Sequence, residues 1–279
     1  MFTEIMNLYT PMEISIIIGY IGAFLVGFVL GLLGGGGAML SIPVLVYLFH
    51  IQPITATGYS LFLVGVAASL GAVQNVRKKM IDYSSALYYG IPSVLSVYLM
   101  RRFIIHRLPD TLFSIGNYEV GRDNFILVIF AMVMFAAAYK MIFSAEVEEH
   151  TGIPTTADRA RLVLYAILVG IFSGFVGAGG GFLITPVLIY QARLSVKKAI
   201  GTSLVLVAVN AFIGFIGDLG ATSNMDWKFL LTFSAFSIAG VIIGSRVGEK
   251  VHNKHLKQYF GWFIVAIAIW IIIRETLLK

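Results

Sequence analysis

The sequence predicts an all-α, polytopic membrane protein of two inverted repeats, each with about five helical segments and a glycine-rich helix break. Three observations carry this. First, 58% of the 279 residues are hydrophobic and only 12% are charged, whereas about a quarter of residues in a soluble domain carry charge. Second, long apolar runs alternate with short polar loops, which reads as helical spans; a β-barrel would show shorter segments of alternating polarity. Third, the stretch Gly31-Leu32-Leu33-Gly34-Gly35-Gly36-Gly37-Ala38-Met39-Leu40-Ser41-Ile42-Pro43 returns 143 positions later as Gly174-Phe175-Val176-Gly177-Ala178-Gly179-Gly180-Gly181-Phe182-Leu183-Ile184-Thr185-Pro186.

That offset holds without a gap from Gly27 to Gly71. It matches Gly27 with Gly170, Gly58 with Gly201, Ser60-Leu61 with Ser203-Leu204 and Gly71 with Gly214. Shared apolar composition does not align so many glycines, so the chain reads as an internal duplication. The first transmembrane repeat covers residues 1–143 and the second 162–279. The stretch 144–161, with Glu146, Glu148, Glu149, Gly152 and Pro154, is polar and turn-rich and reads as their linker.

The apolar segments of the first half run 14–33, 38–49, 54–76, 83–100 and 125–143; those of the second run 162–176, 182–190, 199–217, 229–244 and 258–273. No Lys or Arg precedes the first, which therefore lacks the basic start of a cleavable signal peptide and is expected to be retained. The second segment of each half is short. At about 1.5 Å per residue, the stretch 38–49 reaches roughly 18 Å against a hydrocarbon core of about 30 Å, so a half-crossing is expected. The third segments end in Gln74-Asn75 and in Asp218, with Asn75 aligned to Asp218. This pair reads as an interfacial polar cap in preference to a proton-responsive carboxylate, because intramembrane acids are functional chiefly when deep. Asn210 is deep in its segment and must find a hydrogen-bond partner, on a neighbouring helix or on a substrate. Lys140 lies near a segment end, where a lysine snorkels to the interface.

Five segments per half is an odd number and turns the second half upside down. With Arg77-Lys78-Lys79 cytoplasmic, that loop and those at 144–161, 193–198 and 246–257 share one side and carry twelve Lys and Arg. The opposite side keeps seven, Arg101, Arg102, Arg107, Arg122, Lys228, Arg274 and Lys279. The bias places both termini outside, although the four arginines of 101–124 pull the other way. The net charge of +6 is then a matter of topology and anionic lipid rather than nucleic acid. Without cysteine there are no disulfides, thiolate chemistry or Cys-bound metals. The five histidines, including His106, sit in loops or segment ends and form no metal pair within a span. No Ser-His-Asp set can be assembled at membrane depth, so neither enzymatic activity nor a cofactor is expected.

The glycine breaks carry the functional reading. The first N–H groups of a helix lack intrahelical partners, and in a bilayer each unpaired one costs several kcal/mol. Glycine lets a ligand approach the backbone, and a helix start attracts anions. Two breaks related by inversion aim two helix starts at one central region. The expected binding groups are the main chain of Gly34, Gly35, Gly36, Gly37 and Ala38, and of Gly177, Gly179, Gly180 and Gly181 up to Phe182. Ser41, Ser60, Thr185, Thr202 and Ser203 add hydroxyls, with Thr57 and Asn210 nearby. Scattered glycines such as Gly19, Gly22, Gly65 and Gly240 read instead as helix-packing residues. A run of four is not needed for packing and sacrifices about 1 kcal/mol of helix stability per residue relative to alanine. A nucleotide phosphate loop is excluded because no Lys-Ser or Lys-Thr follows. The residues point to a secondary carrier of a small anion, working by alternating access and coupled to the proton or to the membrane potential. An uncoupled small-anion channel is the alternative, and a membrane enzyme or assembly subunit a third reading that lacks deep catalytic groups.

The duplicated glycine run, the proline that follows it and the later Gly58-Tyr59-Ser60 and Gly201-Thr202-Ser203 resemble the TauE/SafE family of sulfite and organosulfonate exporters. The likeness covers nearly the whole chain. It implies export of sulfite, of sulfonates such as sulfoacetate or sulfolactate, or of related small anions across a bacterial or archaeal plasma membrane. Tyr59 stands where the family more usually has threonine, and Ala38 or Ala178 replaces one glycine of each run, which leaves the particular anion open. Sulfur chemistry comes from the resemblance alone.

Overall fold

Helices form where the apolar runs permit and stop where glycine, proline or a polar cluster intervenes. The computed structural model describes residues 11–33, 35–115, 118–143, 155–219, 225–248 and 253–277. Helix α1 (Pro11–Leu33) ends at the first glycine run, a 3-10 segment (Gly35–Leu40) follows, and α2 (Ser41–Tyr47) is short. Pro53 opens α3 (Pro53–Arg77), in the first turn where its missing N–H has no cost. Helix α4 (Tyr83–Leu99) is capped by Asp82, which accepts from the Ser85 N–H at 2.8 Å. It continues through a π-turn (Met100–Ile104) and a 3-10 turn (Ile105–Arg107). A small antiparallel hairpin, β1 (Thr111–Ile115) and β2 (Tyr118–Gly121), precedes α5 (Arg122–Phe143). The second half comprises α6 (Thr156–Val176), α7 (Gly181–Gln191), α8 (Val196–Leu219), α9 (Trp227–Gly248) and α10 (Asn253–Leu277).

Six of these helices are long and apolar enough to cross a membrane: α3, α5, α6, α8, α9 and the 258–276 part of α10. Two-thirds of α3 and of α8 is buried inside the molecule, against a third of α10, so α3 and α8 form the centre. The outer helices turn large apolar side chains outward: Ile17, Ile21 and Leu25 on α1, Leu87, Ile91 and Leu95 on α4, Trp262 and Phe263 on α10. Polar side chains are gathered inside instead, among them Ser41, Thr57, Ser60, Ser93, Thr202, Ser203 and Asn210. Such an arrangement suits a hydrocarbon solvent, where exposed apolar surface is free and polar groups need protein partners.

The packing repeats as the sequence does. The contacts of α1 with α9 have their counterpart in α6 with α4, those of α4 with α8 in α9 with α3, and those of α2 with α3 in α7 with α8. Individual pairs follow the exchange: Gly27 meets Ser237 as Gly170 meets Ser93, and Gly31 meets Val241 as Gly174 meets Val97. Likewise Gly58 faces Asp218 as Gly201 faces Asn75. Between α3 and α8, Gly58 lies by Asp218, Gly65 by Phe212 and Gly71 by Leu204, so these two helices run antiparallel. By the same reading α1 runs parallel to α9, and α4 parallel to α6.

The expected half-crossings are present as short helices: α2 has 7 residues and α7 has 11. The first folds back along α1, since Gly37 packs on Leu30, Gly22 on Val44 and Gly19 on the Phe49 ring. Gly65 meets the Phe212 ring and Gly240 the main chain at Phe24, the packing role expected of scattered glycines. Helix α6 begins earlier than its apolar run, at Thr156, because Thr155 and Asp158 form a capping box. Gly34, the rest of the polar stretch at 144–154 and the Lys140 side chain lie outside the described residues.

One sequence reading is corrected here. Arg101 was expected in an exterior loop, but the π-turn carries it inward and its side chain is fully buried. The apolar Phe103-Ile104-Ile105 extends the helical pattern past the arginine pair, and Ile105 is buried with it.

The close crossing of α1 and α9 yields a stability prediction. A Cβ at Gly244 would collide with the Phe28 carbonyl, whereas one at Gly121 would rest 3.6 Å from the Asp110 carbonyl. Gly244→Leu is expected to destabilise the protein by about 1–3 kcal/mol or more, and Gly121→Ala to be near neutral. Thermal unfolding midpoints of the purified variants in detergent check this.

Candidate functional site

The second glycine break is fully described. Helix α6 stops at Gly177, which takes φ +77° while its N–H donates to the Ser173 carbonyl at 2.9 Å. Gly179 and Gly180 are also left-handed, at φ +66° and +70°. Glycine adopts this conformation without strain, which is why the turn is written in glycine. The Gly180 carbonyl then accepts from Leu183 at 2.9 Å and Ile184 at 3.0 Å, which starts α7. Between these bonds, the N–H groups of Ala178, Gly179, Gly180, Gly181 and Phe182 donate to no acceptor among the described residues. Residues 177–181 are buried. Buried main-chain donors are nearly always paired in native proteins, so four in succession on buried residues, with that of Phe182 beside them, form a concentrated donor site at a helix start.

The first break lies beside it, because the 3-10 segment Gly35–Leu40 packs against α7 and α8. Gly35, Gly36 and Gly37 all fall on this segment. Ala38 and Ala178 are both buried. In each half a hydroxyl pair ties the short helix to the next one. Ser41 Oγ and Ser60 Oγ are 2.6 Å apart, and Ser41 also reaches the Ala38 carbonyl. In the second half Thr185 Oγ1 donates to Ser203 Oγ at 2.9 Å. Thr202 turns away and accepts the Asp82 N–H at 3.0 Å. Asn210 finds a helix neighbour, its Nδ2 donating to Ser93 Oγ at 2.7 Å, while its Oδ1 has no partner among the described residues.

Sequence reasoning missed the charged part of the site. Arg101 Nη1 donates to Thr57 Oγ1 at 3.0 Å and to Asp218 Oδ2 at 3.2 Å. The other Asp218 oxygen lies 2.9 Å from His106 Nε2. Arg101 Nη2 lies against Gly177, and both Nη2 and Nε lack acceptors among the described residues. Asp218 is therefore not an interfacial cap: it is buried and ion-paired, in a space left by Gly58, where a Cβ would sit 2.6 Å from Oδ2. The available signals were the apolar run after Arg102 and the replacement of Asn75 by an acid in the second copy.

The site is rich in donors and short of acceptors. Five main-chain N–H groups and two guanidinium nitrogens lie around Gly177–Phe182, and one carboxylate answers them. Such a set suits a small anion that offers several acceptor oxygens. The crevice formed by Ser173, Val176, Ala178, Gly180, Phe182 and Leu183 leaves no space for a water molecule, and Val64 and Val207 close over Gly179. Among the described residues no three His, Asp or Glu side chains are grouped as metal ligands.

Residues 19–271 match the family described as Sulfite exporter TauE/SafE. The chain is 32% identical over 258 residues to a probable membrane transporter protein of Xylella fastidiosa (strain 9a5c), covering 90% of this chain and 92% of the relative. It is 23% identical over 259 residues to the probable membrane transporter protein YunE of Bacillus subtilis (strain 168), covering 86% and 89%. No solved structure matches. Built of apolar spans around a polar, glycine-broken centre and matched over nearly its whole length, the chain is a multi-pass membrane transporter and belongs to the TauE/SafE sulfite exporter family.

Proposed function

We propose that the protein is a secondary carrier that exports a small anion, sulfite or an organosulfonate, across a prokaryotic plasma membrane by alternating access. The observation that carries this reading is the row of five acceptor-less main-chain N–H groups from Ala178 to Phe182, four of them on buried residues. In a hydrocarbon surrounding such a row is tolerable only if a solute with acceptor oxygens satisfies it for part of the cycle. Gly177, Gly179, Gly180 and Gly181 supply the turn. Thr185 and Ser203 fix the start of α7, as Ser41 and Ser60 fix the helix after Gly34–Ala38.

Alternating access requires two halves that can exchange conformations around one site. The antiparallel course of α3 and α8, and the contacts that recur when the halves are exchanged, support inverted repeats at 1–143 and 162–279 joined by 144–161. The family description supports sulfite and the outward direction. The proton is the proposed coupling ion. No enzymatic step is proposed.

Two outcomes follow. Gly179→Val forces a branched side chain into a left-handed position facing Val64 and Val207. At a strain of about 1–3 kcal/mol it should weaken sulfite flux into proteoliposomes by about ten- to a hundredfold, with insertion into the membrane preserved; unchanged flux contradicts the site. An imposed pH gradient should drive uphill sulfite accumulation without steady single-channel current. Steady current without accumulation would make the protein a channel.

A further inference from the structure

We infer that Arg101 is an anion ligand and that Asp218, with His106, is its built-in counter-ion, so that anion binding is linked to the uptake of one proton. The inference rests on the reading that an anion binds at the second glycine break.

The ion pair is not demanded by the fold. The exchange that carries Ser93 to Ser237 and Val97 to Val241 carries Arg101 to Ser245, and Asp218 aligns with Asn75. The crossing related to it by the exchange thus carries no charge. A buried pair costs desolvation that apolar packing does not, so a charged version kept at one of the two crossings needs another use. The geometry supplies one. Asp218 engages only Nη1, leaving Nε and Nη2 without acceptors, with Nη2 turned to Gly177 where the free main-chain donors begin. The arginine faces its carboxylate on one side and the proposed anion site on the other.

An anion arriving there would place a second negative charge close to Asp218 in a dry interior, which strongly disfavours two ionised groups. One proton removes the conflict. His106 is the route, since its side chain is 20% exposed while its Nε2 is 2.9 Å from Asp218 Oδ1. It takes a proton from water on Nδ1 and passes the Nε2 proton to Oδ1, returning to a neutral imidazole. Before loading, Arg101 and Asp218 sum to zero; after loading, Arg101, a monoanion and protonated Asp218 also sum to zero. Among the described residues the charged and titratable partners of Asp218 are Arg101 and His106 alone. From α3 it meets Thr57 and Gly58, which are uncharged, and Tyr98 and Arg102 offer only main chain to the adjacent Gly217. The short helix α7 and the Gly35–Leu40 segment bring no charged group.

The test is calorimetric titration of the purified full-length chain with the monoanions methanesulfonate and ethanesulfonate, whose charges stay constant from about pH 6 to about pH 8. Repeating it in buffers of different ionisation enthalpy counts the protons. The expected result is one proton taken up per anion and an affinity that falls about tenfold per pH unit as pH rises. Asp218→Asn should bind with no proton uptake and no pH slope. Wild-type binding without proton uptake, or an Asp218→Asn variant that keeps the slope, overturns the inference while leaving the carrier intact; the wild-type proton count stands even if the variant fails to fold. Binding of neither anion, nor of sulfite, at any pH overturns the carrier reading itself.

Discussion

A bilayer offers no water to an unpaired main-chain N–H, and the architecture depends on how that constraint is met at the glycine breaks. At Gly177–Gly181 three left-handed glycines end one helix and start the next so tightly that Ala178 to Phe182 are left with free donors in a buried place. The surrounding structure keeps this costly turn in position. Ser203 holds Thr185 just inside α7, Val64 and Val207 seal Gly179, and Arg101 stands behind Gly177.

The helices that follow the two breaks, α3 and α8, lie antiparallel at the centre, and the two breaks are neighbours. A symmetric pair of breaks would hold a solute equally from either half. The ion pair joins Arg101 of the first half to Asp218 of the second, and the exchange of halves puts Ser245 and Asn75 in their places. On the proposed function, charge selectivity is concentrated on the second break, whereas the first contributes shape and hydroxyls.

Much of this was legible in the sequence because its signals are local. The apolar runs marked the spans, the glycine runs marked the breaks, and the shortness of 38–49 and 182–190 foretold α2 and α7. Ser41, Ser60, Thr185 and Ser203 were legible as well, since their distance from the proline and the Gly-x-Ser fixes them near a helix start. Arg101 and Asp218 were not. A charge next to a second arginine looks like a loop end, and an acid at a segment end looks like an interfacial cap. What places the arginine inside is a π-turn between Met100 and Ile104, a deviation from helical geometry that leaves no period in the residue types, and the acid is inside because it packs against that arginine. Asn210 fell between these cases: its depth showed that it needed a partner, but that partner, Ser93, lies 117 positions away on another helix.

The most direct measurement is amide hydrogen exchange across residues 175–185 of the purified protein, with and without sulfite. The account predicts that sulfite slows exchange of the Ala178–Phe182 amides above all others, because it supplies the acceptors they lack. Protection confined to other segments, or none at saturating sulfite, would contradict it.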